Sequence, residues 1–164
     1  MINVLKVLHD TTVDGPGFRT SIYCAGCQHK CPGCHNPQSW AFGTGTDCST
    51  DDLLQEILAD PFADVTFTGG DPFYQAEGFA ELAARIKAES NKTIWCYTGF
   101  LYENLLHDDA AKHLLKYVDV LVDGPFIQAL RDEGLLFRGS SNQRLIDVKR
   151  SQEEGCIVLW KRDE

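Results

Sequence analysis

Cys27, Cys31 and Cys34 lie in the stretch Cys27-Gln-His-Lys-Cys-Pro-Gly-Cys34, and a C-x-x-x-C-x-x-C spacing is suited to iron-sulfur chemistry. A cubane cluster has four iron corners, so three thiolates leave one iron without a protein ligand, as a catalytic zinc keeps an open position. Substrate can bind at such a corner. Positions 27, 31 and 34 are also i, i+4 and i+7, the stripe by which one helix face enters a core, but Pro32-Gly33 inside that stripe argues for a loop. Zinc is an alternative, because Cys24 extends the run to C-x-x-C-x-x-x-C-x-x-C and completes four thiolates. Structural zinc ligands usually come as two short pairs a dozen or more residues apart, whereas these four lie within eleven positions. Seven cysteines, an odd number, in a chain of 164 residues that can bury an ordinary core argue against a disulfide framework.

Gly69-Gly70-Asp71 is the second chemical motif. Two glycines at a strand end let a ligand approach the backbone closely, and the adjacent carboxylate can accept hydrogen bonds from an ammonium group. That combination suits an amino acid headgroup, although strand-Gly-Gly-Asp-Pro is also a common tight turn.

The elements that must position these groups alternate along the chain. Strand patterns cover Ile2 to Leu8, Arg19 to Tyr23, Asp64 to Thr68, Thr93 to Thr98 and Tyr117 to Val122. A helix starts at Ser49-Thr-Asp-Asp52, a second carries Phe79, Leu82, Ala83 and Ile86 at helical spacing to about Glu89, and helical pieces span Tyr102 to Lys116. Alternation predicts an α/β fold: a mostly parallel sheet with right-handed crossovers and functional groups at the strands' C-terminal ends. A closed eight-stranded barrel takes about 250 residues, so this chain is expected to form an incomplete, open (β/α) barrel as one domain over 1–164. An open side can admit a large partner.

Composition narrows the partners. With 15 Lys+Arg against 24 Asp+Glu and a net charge of -9, the surface should repel phosphate backbones, so nucleic acid is not expected. The N-terminus lacks a basic flank before an apolar block, and no apolar run nears the roughly 20 residues of a membrane span, so the expected setting is cytoplasmic.

Three cysteines after the first strands and Gly-Gly-Asp at a later strand end resemble the radical S-adenosylmethionine (SAM) superfamily. More narrowly, the resemblance is to the anaerobic (class III) ribonucleoside-triphosphate reductase activating proteins. It is carried by Asp14-Gly-Pro-Gly17 with Arg19, Gly26 to Asn36, Trp40, Gly69-Gly-Asp-Pro72, Thr98-Gly99, Val120-Leu-Val-Asp-Gly124 and Arg138-Gly-Ser-Ser-Asn-Gln143. These motifs occupy residues 14 to 143; the tail from about Ser151 to Glu164 lies beyond them, and Cys24 is not among the family's ligands.

The resemblance implies a 4Fe-4S cluster on Cys27, Cys31 and Cys34, with SAM touching Gly33, Cys34, His35 and Gly70, and also Gly69 and Asp71. It further implies that an external low-potential donor such as a flavodoxin reduces the cluster, and that SAM cleavage gives a 5'-deoxyadenosyl radical. The hydrogen is then taken from a glycine of the large subunit of anaerobic ribonucleotide reductase. Valine at position 70 is expected to weaken SAM binding and leave iron in place. His29 and His35 also have a plain reading as solvated loop histidines, and neither is assigned an acid-base role. Activation of another glycyl radical enzyme, a small radical SAM enzyme acting on a deazapurine-type molecule, and a zinc-binding module are the alternatives.

Overall fold

The computed structural model describes residues 1–27, 29 and 41–161. The chain runs β1 (Ile2–Thr11), β2 (Arg19–Cys24), β3 (Thr46–Cys48), α1 (Thr50–Leu58), β4 (Asp64–Gly69), α2 (Ala76–Glu89), β5 (Ile94–Tyr97), α3 (Tyr102–Leu105), α4 (Asp109–Leu115), β6 (Val120–Asp123), β7 (Arg144–Asp147) and α5 (Val148–Glu154). Local signals account for several boundaries. Asp52 N–H donates to the Ser49 side chain to start α1, Asp108 caps α4, and α5 stops at Gly155 in the left-handed conformation.

Among the described residues the strands form one seven-stranded sheet with the order β3-β1-β2-β4-β5-β6-β7. The four central strands β2, β4, β5 and β6 are mutually parallel, while β1 and β7 pair antiparallel to them. The sheet is mixed and open, its edges being β3 and β7.

Side-chain alternation sorts the sheet into two faces. Ile22, Cys24, Val65, Phe67, Ile94, Cys96 and Leu121 point into the main core with Leu53, Leu54 and Ile57 of α1, Phe79, Leu82 and Ile86 of α2, and Leu114 and Leu115 of α4. Phe67 and Phe79 meet there with ring centroids 4.7 Å apart. The intervening residues Trp95, Val120 and Val122 join Phe137, Tyr97, Leu145 and Trp160 in a second cluster. The fully buried Arg19 forms a polar counterpart to that second cluster: it donates to Thr66 Oγ1 (2.8 Å), Pro16 O (3.0 Å), Val65 O (2.8 Å) and Thr93 O (3.2 Å) and lies over the Trp95 ring. Burial lowers its guanidinium to about 10, with nearby Asp64 opposing, so it stays charged at neutral pH and nails the Asp14–Gly17 loop to the sheet.

Three elements escape the strand and helix patterns: β3, β7 and α5. Each is short, and β7 has only Arg144-Leu-Ile-Asp147 to display a period of two. The tail is integral to the packing. Asp147 N–H donates to Val158 O (2.9 Å), Trp160 N–H to Leu145 O (2.7 Å), and the Trp160 ring stands edge-on to Trp95 at 4.9 Å. Replacing Trp160 with Ala should therefore lower unfolding free energy by about 2 kcal/mol, since a large half-buried aromatic is removed. Urea titration measures it; a change under about 0.5 kcal/mol would show that the tail is dispensable to the fold.

Candidate functional site at the strand ends

The parallel strands β4, β5 and β6 end side by side, and beyond their C-terminal ends lies a cleft of about 350 Å³. Ligands of open α/β sheets commonly sit at such strand ends, and the volume suits a small organic molecule. The lining combines Cys27 and His29 of the cysteine loop, Thr68 to Asp71, Tyr97 to Gly99, Gly124, and the segment that includes Phe137, Arg138, Gly139 and Gln143. Motifs far apart in sequence thus converge on one cavity. Asp14 reaches it too, held by Ser21 Oγ (3.1 Å) and Tyr23 Oη (2.8 Å) donating to its carboxylate.

Of the residues expected to act, Cys27, Gly69, Gly70 and Asp71 line this cleft. Cys31, Gly33, Cys34 and His35 lie outside the described residues. Cys24 does not join Cys27. It alternates with Tyr23, so it faces the opposite side of the sheet, fully buried among apolar side chains. Burial, reinforced by Asp71, raises its thiol. A closed four-thiolate zinc site needs Cys24 and Cys27 to converge on one metal, and placement in the core and in the cleft respectively argues against that alternative.

Gly69 and Gly70 bring the cysteine loop against the end of β4. Cys24 pairs with Gly69, and the parallel ladder continues as Gly70 N–H donates to Cys24 O (2.8 Å) and Asp71 N–H to Gly26 O (2.9 Å). Gly69 has φ 109°, and a Cβ on Gly70 would sit 2.5 Å from Gly26 O. The glycines are thus required by backbone crossing backbone, whatever a ligand asks of them.

Asp71 is 1 % exposed and its carboxylate receives four chain donors. Phe73 N–H lies 3.0 Å from Oδ1, Thr98 Oγ1 2.9 Å from either oxygen, Gly99 N–H 2.9 Å from Oδ2, and His29 Nε2 2.7 Å from Oδ2. A carboxylate offers about four lone-pair sites, so Asp71 is occupied by the chain itself. His29 corrects the expectation of a solvated side chain: its ring packs edge-on against Phe100 at 4.5 Å and tilted against Tyr74 at 5.8 Å. The pairing of His29 with Asp71 had no local signal, as 42 residues separate them.

Asp123 of the Val-Asp-Gly motif is likewise internal. Fully buried, it accepts from Arg144 Nε (2.9 Å) and Tyr102 N–H (2.8 Å) and ties β6 to β7 and α3. The Arg138–Gln143 turn is stapled to the end of β6 through Asn142 Nδ2 to Pro125 O (2.8 Å) and Gln143 Nε2 to Gly124 O (3.0 Å). Phe137 beside it has φ 63°, a strained conformation for a bulky residue, held by Tyr97 Oη donating to its carbonyl (2.6 Å).

Comparison with known proteins identifies the class first: residues 13–146 match a 4Fe-4S single cluster domain. The anaerobic ribonucleoside-triphosphate reductase-activating protein of Vibrio cholerae is 40% identical over 140 residues, covering 80% of this chain and 88% of that protein. The protein of the same name from Enterobacteria phage T4 is 36% identical over 157 residues, 92% of this chain and 93% of that protein, and the one from Escherichia coli K12 is 35% identical over 139 residues, 80% and 89%. The chain belongs to the family of anaerobic ribonucleoside-triphosphate reductase-activating proteins, as its motifs suggested. Among the described residues no helix is long and apolar enough to cross a membrane.

Two outcomes follow. Val at position 70 should displace Gly26 and with it the cysteine loop, so Gly70→Val should lower bound iron after anaerobic reconstitution by more than half, contrary to the expectation that only SAM binding suffers. Full iron loading would restore that expectation. Burial raises the thiols of both Cys24 and Cys96 above their ordinary 9.0. Below pH 9 folded and unfolded chains both keep these protons; above it only the unfolded chain releases them, so stability should fall by up to about 1.4 kcal/mol per pH unit for each thiol. Urea titrations from pH 8 to 10.5 on wild type and a Cys24→Val, Cys96→Val double variant test this, the variant showing the shallower decline.

Proposed function

We propose that this protein is a radical SAM activase of one domain that generates the glycyl radical on the large subunit of anaerobic ribonucleotide reductase. The observation that carries the reading is the single cleft shared by the cysteine loop and the Gly69-Gly70-Asp71 strand end, in a member of the activating-protein family. Cys27, Cys31 and Cys34 hold a 4Fe-4S cluster with one open iron. Gly33, Cys34, His35 and the backbone of Gly69 and Gly70 contact SAM, while Asp71 sets the walls around it. Donor chemistry and space agree with that assignment: Cys27 lines a cleft of about 350 Å³ whose other walls combine backbone, rings and the polar side chains of Asp14, Asp71 and Arg138.

When bound, these groups supply reductive cleavage of the SAM sulfonium and hydrogen abstraction from the partner's glycine. The chain's contribution is placement and exclusion of water. Tyr97, Phe126 and Phe137 make one wall apolar, and the Arg138–Gln143 turn closes it against Gly124. The partner must reach the cleft, and the segment that lines it also exposes Ile127, Leu130 and Leu136, while Val13, another lining residue, is exposed as well. Exposed apolar side chains about a cavity suit a protein surface better than a free small molecule. The reducing electron comes from a low-potential donor such as a flavodoxin, and the setting is the cytoplasm, without nucleic acid.

Mixing the reduced, reconstituted protein with SAM and an anaerobic ribonucleotide reductase subunit should give a glycyl radical doublet by electron paramagnetic resonance and a comparable amount of 5'-deoxyadenosine. Cys27→Ala, Cys31→Ala and Cys34→Ala should abolish both, and Cys24→Ala should spare both. SAM cleavage without a radical on any reductase subunit would reassign the protein to another glycyl radical enzyme or a small-molecule substrate.

A further inference from the structure

We propose that His29 is a positioning residue for this reaction: it latches the cysteine loop to the strand ends that wall the cleft, so that loop and cleft keep one fixed relation. The inference rests on the cluster and SAM assignment above and adds to it a residue that is neither a ligand nor in the glycine motif.

His29 is two residues from Cys27 and two from Cys31 in the chain, so immobilising its ring restrains a point of the ligand-bearing stretch itself. The ring is held in three ways. Nε2 lies 2.7 Å from Asp71 Oδ2, with the carboxylate accepting from the Nε2–H tautomer. Phe100 and Tyr74 hold its faces and edge at 4.5 and 5.8 Å. Gly99 leaves the room it occupies, since a Cβ there would lie 2.6 Å from His29 Cδ2. The side chain is 17% exposed and its acceptor 1%.

The same oxygen serves the cleft. Oδ2 of Asp71 also accepts from Gly99 N–H at 2.9 Å and Thr98 Oγ1 at 2.9 Å, and both residues line the cleft beside Gly69 and Gly70. A shift of the ring would move the acceptor on which the end of β5 depends. Loop position and cleft shape are coupled through one buried atom, where a lost donor is not replaced by water.

Two substitutions separate the hydrogen bond from the packing. His29→Gln keeps an N–H donor able to reach Asp71 and loses the ring; His29→Phe keeps the ring between Tyr74 and Phe100 and loses the donor. Wild type and both variants are reconstituted anaerobically and compared in iron per chain, SAM affinity by calorimetry, the SAM-induced change in the paramagnetic spectrum of the reduced cluster, and kcat and KM for SAM cleavage. The expected result is that His29→Phe holds iron like wild type but binds SAM at least tenfold more weakly, with a diminished spectral change and a raised KM. His29→Gln should stay within threefold of wild type. Wild-type affinity in His29→Phe, a loss in His29→Gln as large as in His29→Phe, or loss of iron in both to the level of Cys27→Ala would each overturn the latch. If wild type itself assembles no cluster or binds no SAM, the functional reading falls and the latch with it. If wild type does both and the variants match it, only the latch falls.

Discussion

One buried carboxylate organises the functional end of this molecule. Asp71 takes hydrogen bonds from the turn that follows it, from the end of β5 and from the cysteine loop, and its own N–H holds Gly26. An acceptor withdrawn from water is costly unless every lone pair is used, and here the chain supplies the donors. That requirement makes the arrangement specific: the three segments must arrive together or the carboxylate is left unsatisfied. The cleft exists because they do.

The two faces of the sheet divide labour by the same arithmetic of alternation. One face is apolar almost throughout and is covered by helices, which makes it the stability-bearing side. The other carries Arg19, Ser21, Tyr23, Thr66 and Thr68 toward β2 and β4, and the rings of Trp95 and Tyr97 toward β5. Arg19 shows how a charge is tolerated there. Among the described residues its hydrogen-bond partners are carbonyls and hydroxyls and no carboxylate, and burial depresses its pKa.

The family signature after β6 is held by the same kind of internal satisfaction. Asp123 is spent on Arg144 and Tyr102, and the side chains of Asn142 and Gln143 on the carbonyls of Pro125 and Gly124. Residues of the family signature thus first build the wall of the cleft. Arg138 remains half-buried at that wall, bonded to Gln143 O at 2.6 Å and lining the cavity.

The sequence alone determined the class of chemistry, since thiolate number and spacing constrain what a loop can bind. It also determined the alternating elements, since periodicity of apolar residues dictates which segments can share a core. Strands from Ile2, Arg19 and Asp64 and the helix capped by Ser49 are where their patterns place them. Short elements with little pattern, β3, β7 and α5, were illegible, because their stability comes from tertiary pairing rather than local preference. Only the tertiary structure decided that Cys24 faces the core while Cys27 faces the cleft, that Gly70 is needed for Gly26 to pass, and that Asp71 and His29 belong to each other across 42 residues. The reason is physical: composition and spacing state which groups are present, but the satisfaction of a buried polar atom depends on which distant donors the fold delivers to it.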